Sequence, residues 1–157
     1  MSIKNYTSEV SVERSIQLIE HELVRAKATH IAKWYDSDGK VEGLMFQINL
    51  PATKAGAMPT PMSFKLPARW RKCFDILYAE VKKPLPTTKE RVEQQAQRTA
   101  WKLLYDMVAV KVSMILIDQV EAVEEFLPYY YDQAKDRTLY ESIRDSGFKQ
   151  LTAGAKQ

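Results

Sequence analysis

A single cysteine, Cys73, is all the thiol this sequence holds, which excludes an internal disulfide and a cysteine-based zinc site and agrees with a reducing compartment. Histidine is almost as scarce. His21 and His30 have no second histidine four residues away and no H-E-x-x-H neighbourhood, so the spacing that brings two imidazoles onto one helix face to grip a metal is missing. No glycine-rich loop of the kind that cradles phosphate is present. No apolar run approaches the roughly 20 residues of a membrane-spanning helix, and the opening MSIKNYTSEV lacks the apolar centre of a signal peptide. These absences lead to the expectation of a cytoplasmic, non-enzymatic protein off the membrane, with no metal, no cofactor and no catalytic residue to name.

Two isolated features with chemical potential have structural readings. Asp36 and Asp38 have the spacing of a metal-binding pair, but Gly39 follows at once and the run fits a hairpin turn. Cys73 lies between Trp70 and Phe74 at helical spacing, the surroundings of a buried packing thiol.

What is present is a chain able to bury one core. With 157 residues, 45% of them hydrophobic, one compact domain is expected over 1–157. Within it the pattern assigns a flexible tail at 1–10, an α-β-β-β-α unit at 11–83, a linker at 84–87, a helical part at 88–150 and a second flexible tail at 151–157. The net charge of +3 permits a polyanionic partner without requiring one.

Periodicity supplies the elements. Ser11 is placed to cap a helix with Glu13 in its first turn, and Val12, Ile16, Ile19, Leu23 and Ala26 recur at helical spacing. The stretch THIAKWYDSDGKVEGLMFQINL then reads as a β-hairpin around Asp36–Gly39. Its second arm alternates Leu44, Phe46, Ile48 and Leu50 with largely polar residues, so one face is core. PATKAGAMPTP is a proline-rich surface loop, and Met62, Phe64 and Leu66 alternate in a third strand. From Pro67 a helix is expected in which Trp70, Phe74, Leu77 and Val81 form one stripe, with Lys82 and Lys83 at its C-terminal end.

The longest element runs from Thr88 to Asp118 without an internal glycine or proline. At about 100° per residue, Val92, Ala96, Ala100, Leu103, Met107, Val110 and Met114 fall on one face. Trp101, Leu104, Val108 and Ile115 fall on a second, the pattern of a helix held between layers. Arg91, Gln95, Arg98 and Lys102 align as a polar, basic ridge. The fold class is therefore α+β: a small antiparallel three-stranded sheet, in the order helix, hairpin, third strand, helix, packed on a long central helix and followed by short C-terminal helices.

Beyond that helix, FLPYYYD places three tyrosines after Pro128, in a linker that ends where Thr138 and Glu141 form a T-x-x-E capping box; Gly147 closes the helix so started. The tyrosines either cover one end of the core with their hydroxyls in water or present an aromatic surface to a ligand or partner.

The run QAQRTAWKLLYDMVAVKVSMILIDQVEAVEEFLPYYYD, followed by RTLYE, resembles a family of small bacteriophage- and prophage-encoded proteins with a QA-x-R-x-AW-[RK] stretch, a long helix and an FLPY segment. The resemblance implies a phage setting in a bacterial host cytoplasm and assigns no catalytic residue. The element order is also similar to the core of ring-forming single-strand annealing proteins, which bind single-stranded DNA along a basic groove.

Two functional expectations follow. The first is a single-stranded nucleic-acid binder serving phage DNA metabolism through Lys65, Arg69, Arg71, Lys72, Arg91, Arg98 and Lys102, since phosphates need cations and bases need stacking faces. The alternative is a protein-interaction or inhibitor module, acting on a host factor or as an oligomeric small-molecule sponge, with Tyr129, Tyr130 and Tyr131 as the partner surface. Homo-oligomerisation is expected with either, because the two apolar faces of the long helix offer more surface than one small domain supplies.

Overall fold

The computed structural model describes residues 2–155. It has the expected α+β make-up: a three-stranded antiparallel sheet, one long helix and short C-terminal helices. Backbone packing divides the chain into two compact units, each built from two stretches. One joins the residues up to Ala26 with Pro67–Ile117, and the other joins Lys27–Leu66 with the residues after Ile117. The grouping read over 11–83 is thus shared between them.

The first unit is helical. Helix α1 (Val12–Arg25) starts where the Ser11 hydroxyl accepts the Arg14 amide at 3.1 Å, satisfying one of the amides a helix start leaves open. Its Ile16, Ile19 and Leu23 are buried as the periodicity required. Helix α2 (Trp70–Ala79) and α1 both pack on α3 (Thr88–Leu116). Trp70 and Cys73 of α2 form a buried cluster with Ala96 of α3, and Ile3, Phe74, Leu77 and Ala100 pack around it. Burial raises the Cys73 pKa above the ordinary thiol value, which keeps it a protonated packing group.

Two boundaries differ from the sequence pattern. Helix α2 ends at Ala79, so Lys82 and Lys83 lie past its C-terminal end; Pro84 and Pro86 follow closely and disfavour helical backbone before them. Residues 2–10 are not a loose tail. They lie on α3, where the Thr99 hydroxyl donates to the Asn5 carbonyl at 3.0 Å and the Gln95 amide donates to the Ser8 carbonyl at 3.1 Å. At the other end, residues 149–155 form a short α6 (Lys149–Thr152) and a 3-10 turn.

Burial along α3 changes side. In its first half Val92, Ala96 and Thr99 are buried; in its second half the buried residues are Trp101, Leu104, Val108 and Val112. These two sets point on the order of 150° apart at 100° per residue. The second apolar stripe holds at Trp101, Leu104 and Val108 and gains Val112, while Ile115 is only half-buried. The first stripe holds only as far as Ala96: Leu103 and Met107 are half-buried, and Val110 is 61% exposed. Leu116 and Ile117, at the helix end, are exposed too.

The second unit is built on the hairpin β1 (Ala28–Tyr35) and β2 (Val41–Leu50), with β3 (Thr60–Pro67) on the far side of β2. The Asp36 carboxylate accepts the amides of Asp38 and Lys40, each at 2.9 Å, and Gly39 takes φ 78°, so the acidic pair builds the turn. Residues opposite one another in an antiparallel pair share a face. Ile31 pairs with Phe46 and Lys33 with Leu44 on the inner face, while His30 pairs with Gln47, Ala32 with Met45 and Trp34 with Gly43 on the outer. Phe46 and Phe64 stack at 5.2 Å on the inner face, and the wholly buried Phe126 meets Phe46 edge-on at 5.1 Å.

The rotation of burial along α3 sets a test. Leu104→Ala should lower stability by about 2–5 kcal/mol, the range for truncating a buried leucine, while Val110→Ala should stay within about 0.5 kcal/mol. Urea midpoints of the two variants measure this, and equal shifts would show that the buried side has been misassigned.

Candidate functional site

The tyrosine triplet is resolved by the two-residue period of extended chain. After α4 (Ala122–Phe126) and a 3-10 turn at Leu127–Tyr129 containing Pro128, Tyr130 pairs in an antiparallel bridge with Phe64, and its carbonyl accepts the Leu139 amide at 2.7 Å. The Tyr130 ring therefore meets Phe64 on the inner face, edge-on at 6.3 Å. Tyr131, one residue later, turns to the outer side and meets Lys65, the neighbour of Phe64. It begins β4 (Tyr131–Asp132), which pairs with β5 (Arg137–Thr138). The Thr138 hydroxyl accepts the Glu141 amide at 3.2 Å and the Glu141 carboxylate accepts the Thr138 amide at 2.9 Å, so the expected capping box starts α5 (Leu139–Asp145).

On the outer face, Lys65 stands between two rings. Its ammonium is 4.7 Å from the Trp34 ring centroid and 5.1 Å from that of Tyr131, within the distance at which a cation is held by an aromatic quadrupole. The Tyr131 hydroxyl donates a short hydrogen bond to Asp136. That bond, with burial and nearby acidic charge, raises the tyrosine pKa, so the hydroxyl stays a donor and fixes the ring. On the same face the Gln47 side-chain amide donates to the Ser63 hydroxyl at 3.1 Å, and His30 lies opposite Gln47. The assembly is a half-buried row of aromatic, cationic and amide groups on an open sheet face.

Gly43 makes this row possible. A Cβ at that position would lie 2.1 Å from Cη2 of Trp34 and 2.4 Å from the Leu66 carbonyl oxygen. Trp34 thus crosses β2 only because its partner has no side chain. The sequence reading named Lys65 and Tyr131, in separate roles, and missed Trp34. Counting register outward from the Asp36–Gly39 turn sets Tyr35 against Val41 and would set Trp34 against Glu42; a register shift between Tyr35 and Trp34 moves the tryptophan onto Gly43, so the pair is not legible from the turn alone.

The other named cations belong to the helical unit. Arg69 precedes α2 and is exposed, the Arg71 guanidinium lies 4.9 Å from the Trp70 ring centroid, and Lys72 and Arg91 are exposed. Arg98 and Lys102 are engaged. The Arg98 guanidinium donates to the Ser8 carbonyl at 3.3 Å and to the Gln95 side chain at 2.6 Å, and the Lys102 ammonium is 2.5 Å from Asp106. The ridge expected to face solvent is covered along this stretch by residues 3–8.

Asp106 is the pin of that covering segment. Burial pushes its pKa up, but the hydrogen bonds from Lys102, Lys4 and Asn5, with the Lys102 charge, outweigh it and hold the pKa at about 2, down from 3.8. A folded pKa below the unfolded one stabilises above about pH 4 and is lost as pH falls through about 2. Among the described residues, no group of three or more His, Cys, Asp or Glu is arranged to hold a metal ion, and no helix is long and apolar enough to cross a membrane.

Two outcomes follow from these contacts. The Thr99 methyl resonance should report residues 3–8 as docked at pH 5 and shift as pH falls from 4 to 2, and Asp106→Asn should abolish that transition. Gly43→Ala should destabilise by about 1–3 kcal/mol, the usual cost of overpacking, because the Leu66 carbonyl is backbone and cannot move aside; an unchanged urea midpoint would contradict the close approach of Trp34. Comparison with known protein families, curated proteins and solved structures finds no match for this chain.

Proposed function

We propose that the protein is a non-enzymatic binder of single-stranded nucleic acid and that the outer face of its sheet is the contact surface. The observation that carries the reading is Lys65 held between Trp34 and Tyr131. Bases have π-faces that stack on aromatic rings, and each linking phosphate needs a cation; the three side chains supply both on one open face. A phosphate that draws the ammonium off the rings leaves aromatic faces for the flanking bases. Gln47, Ser63 and His30 add polar groups along the same face. The resemblance of the QAQRTAWK and FLPY stretches to phage-encoded proteins bears on a phage setting alone; the role in phage DNA metabolism rests on the sheet face.

Charge decides what kind of binding to expect. The unit carrying the sheet has ten Lys and Arg against eleven Asp and Glu, while the helical unit has thirteen against nine. Sheet-face binding therefore rests on stacking with one close phosphate contact. Stacking is sequence-tolerant, so the natural ligand is a strand without a fixed base order. The tyrosine triplet offers less to a protein partner than the sequence suggested, since Tyr130 faces Phe64 and Tyr131 faces Lys65.

Binding of a fluorescein-labelled oligo-dT, followed by anisotropy across a salt series, tests the reading. Lys65→Gln should lower affinity and reduce the slope of log K against log salt by about 0.7, the single-strand value for one phosphate. Tyr131→Leu should weaken binding by about 1–3 kcal/mol with the slope unchanged, because stacking releases no counterions. Parent-like affinity and slope in both variants would remove the sheet face from consideration.

A further inference from the structure

We propose that residues 3–8 form an exchangeable strap over a second phosphate-binding surface, the α3 ridge of Gln95, Arg98 and Lys102, and that a single-stranded polyanion reaches this ridge when the strap lifts. The inference rests on the nucleic-acid reading but concerns a different surface. Its starting point is what the strap presents to the ridge. The Ser8 carbonyl oxygen accepts from Gln95 Nε2 at 3.1 Å and from Arg98 Nε at 3.3 Å. Two donors from adjacent turns converge on one oxygen, as they would on a phosphate oxygen. The third member, Lys102, is 2.5 Å from Asp106, whose other oxygen receives Lys4 at 2.6 Å and Asn5 at 2.9 Å. The strap and Asp106 together supply the ridge with acceptors that a polyanion could replace one for one.

The way the strap is fastened favours exchange over permanence. Its attachments to α3 are mostly polar: the Ser8 and Asn5 carbonyls, the Asn5 side chain and the Lys4 ammonium. Lys4 is 70% exposed, Tyr6 is 46% exposed, and the half-buried Ile3 is the apolar anchor. Asn5 takes a left-handed backbone with φ 65°, which asparagine tolerates and which its contacts to Thr99 and Asp106 hold in place. From Gln95 to Lys102 the ridge runs about 10 Å along the helix at 1.5 Å per residue. It ends in two cations that the charge-rich helical unit otherwise spends on its own chain.

The experiment uses the full chain with two variants that loosen the strap and leave Arg98 and Lys102 in place. Thr99→Val removes one strap hydrogen bond without changing charge. Asp106→Asn removes the pin, with Asp75→Asn on α2 as its charge-matched control. Amide exchange of residues 3–8 reports lifting, and oligo-dT anisotropy across a salt series reports binding. Both variants should exchange faster than the parent, bind about three- to tenfold more tightly, and show a salt slope steeper by about 1.4, two contacts at about 0.7 each. Asp75→Asn should not show the steeper slope, and adding Arg98→Gln with Lys102→Gln to Thr99→Val should cancel the gain. Faster exchange with parent-like affinity and slope overturns the proposal, as does unaccelerated exchange in both variants. Lys65→Gln separates the two surfaces. Loss of binding there with no gain in Thr99→Val overturns the strap alone. A gain in Thr99→Val with Lys65→Gln unaffected upholds the strap and overturns the sheet reading.

Discussion

The backbone pairing of Phe64 with Tyr130 is the contact on which the second unit turns. It fixes the phase of the chain beside β3, and in extended chain phase decides face. Because Tyr130 is in register with Phe64, its ring closes the aromatic core beside Phe46 and Phe126. Because Tyr131 comes one residue later, it stands with Lys65. A one-residue slip would put Tyr131 on Phe64 and send Tyr130 outward, beyond the Asp136 bond that orients the outer ring. The register is reinforced downstream, where the Tyr130 carbonyl accepts the Leu139 amide and the Thr138–Glu141 box starts the next helix. A capping motif read from sequence as a folding signal thus also holds two tyrosines on opposite faces.

In the helical unit the corresponding constraint is electrostatic. A carboxylate partly withdrawn from water favours protonation unless donors replace the lost solvation. Asp106 has three, from Lys4, Asn5 and Lys102, and stays ionised to about pH 2. Two of the three belong to the strap, so ordering of residues 3–8 and ionisation of Asp106 are one coupled event. This explains how a polar stretch, SIKNYTS, becomes ordered with a single apolar side chain, Ile3, in the nearby cluster.

Much of the fold was legible because it depends on local periodicity. The Ser11 cap, the Asp36–Gly39 turn, the inward set Leu44, Phe46 and Ile48, and the second stripe of α3 all rest on interactions within a few residues or on one face. What escaped is long-range. Burial at Leu103 and Met107 depends on what lies against α3 at each turn, which periodicity does not encode. The docking of residues 2–10 depends on partners ninety or more positions away, such as Ser8 with Arg98 and Asn5 with Thr99. Of the site, Lys65 was visible as a cation and Tyr131 as an aromatic, but their meeting required the bridge between β3 and Tyr130. Trp34 was hidden because its signal is a missing Cβ on the opposite strand.

The two candidate contact surfaces differ in how firmly each cation is held, and that difference orders them. Among the described residues, Lys65 is retained on the sheet by cation–π attraction alone, about 0.5–2 kcal/mol for a site between exposed and desolvated, so a phosphate has no hydrogen-bonded network to break in reaching it. Arg98 and Lys102 are retained by a network in which each hydrogen bond contributes about 0.5–1.5 kcal/mol net, together with the partial burial of Ile3. A strand engaging the protein therefore meets the sheet face as an open surface and the α3 ridge as a closed one. A ligand that opens the ridge is one whose phosphates take over from both the Ser8 carbonyl and the Asp106 carboxylate, and each strap contact removed beforehand lowers what such a ligand has to displace.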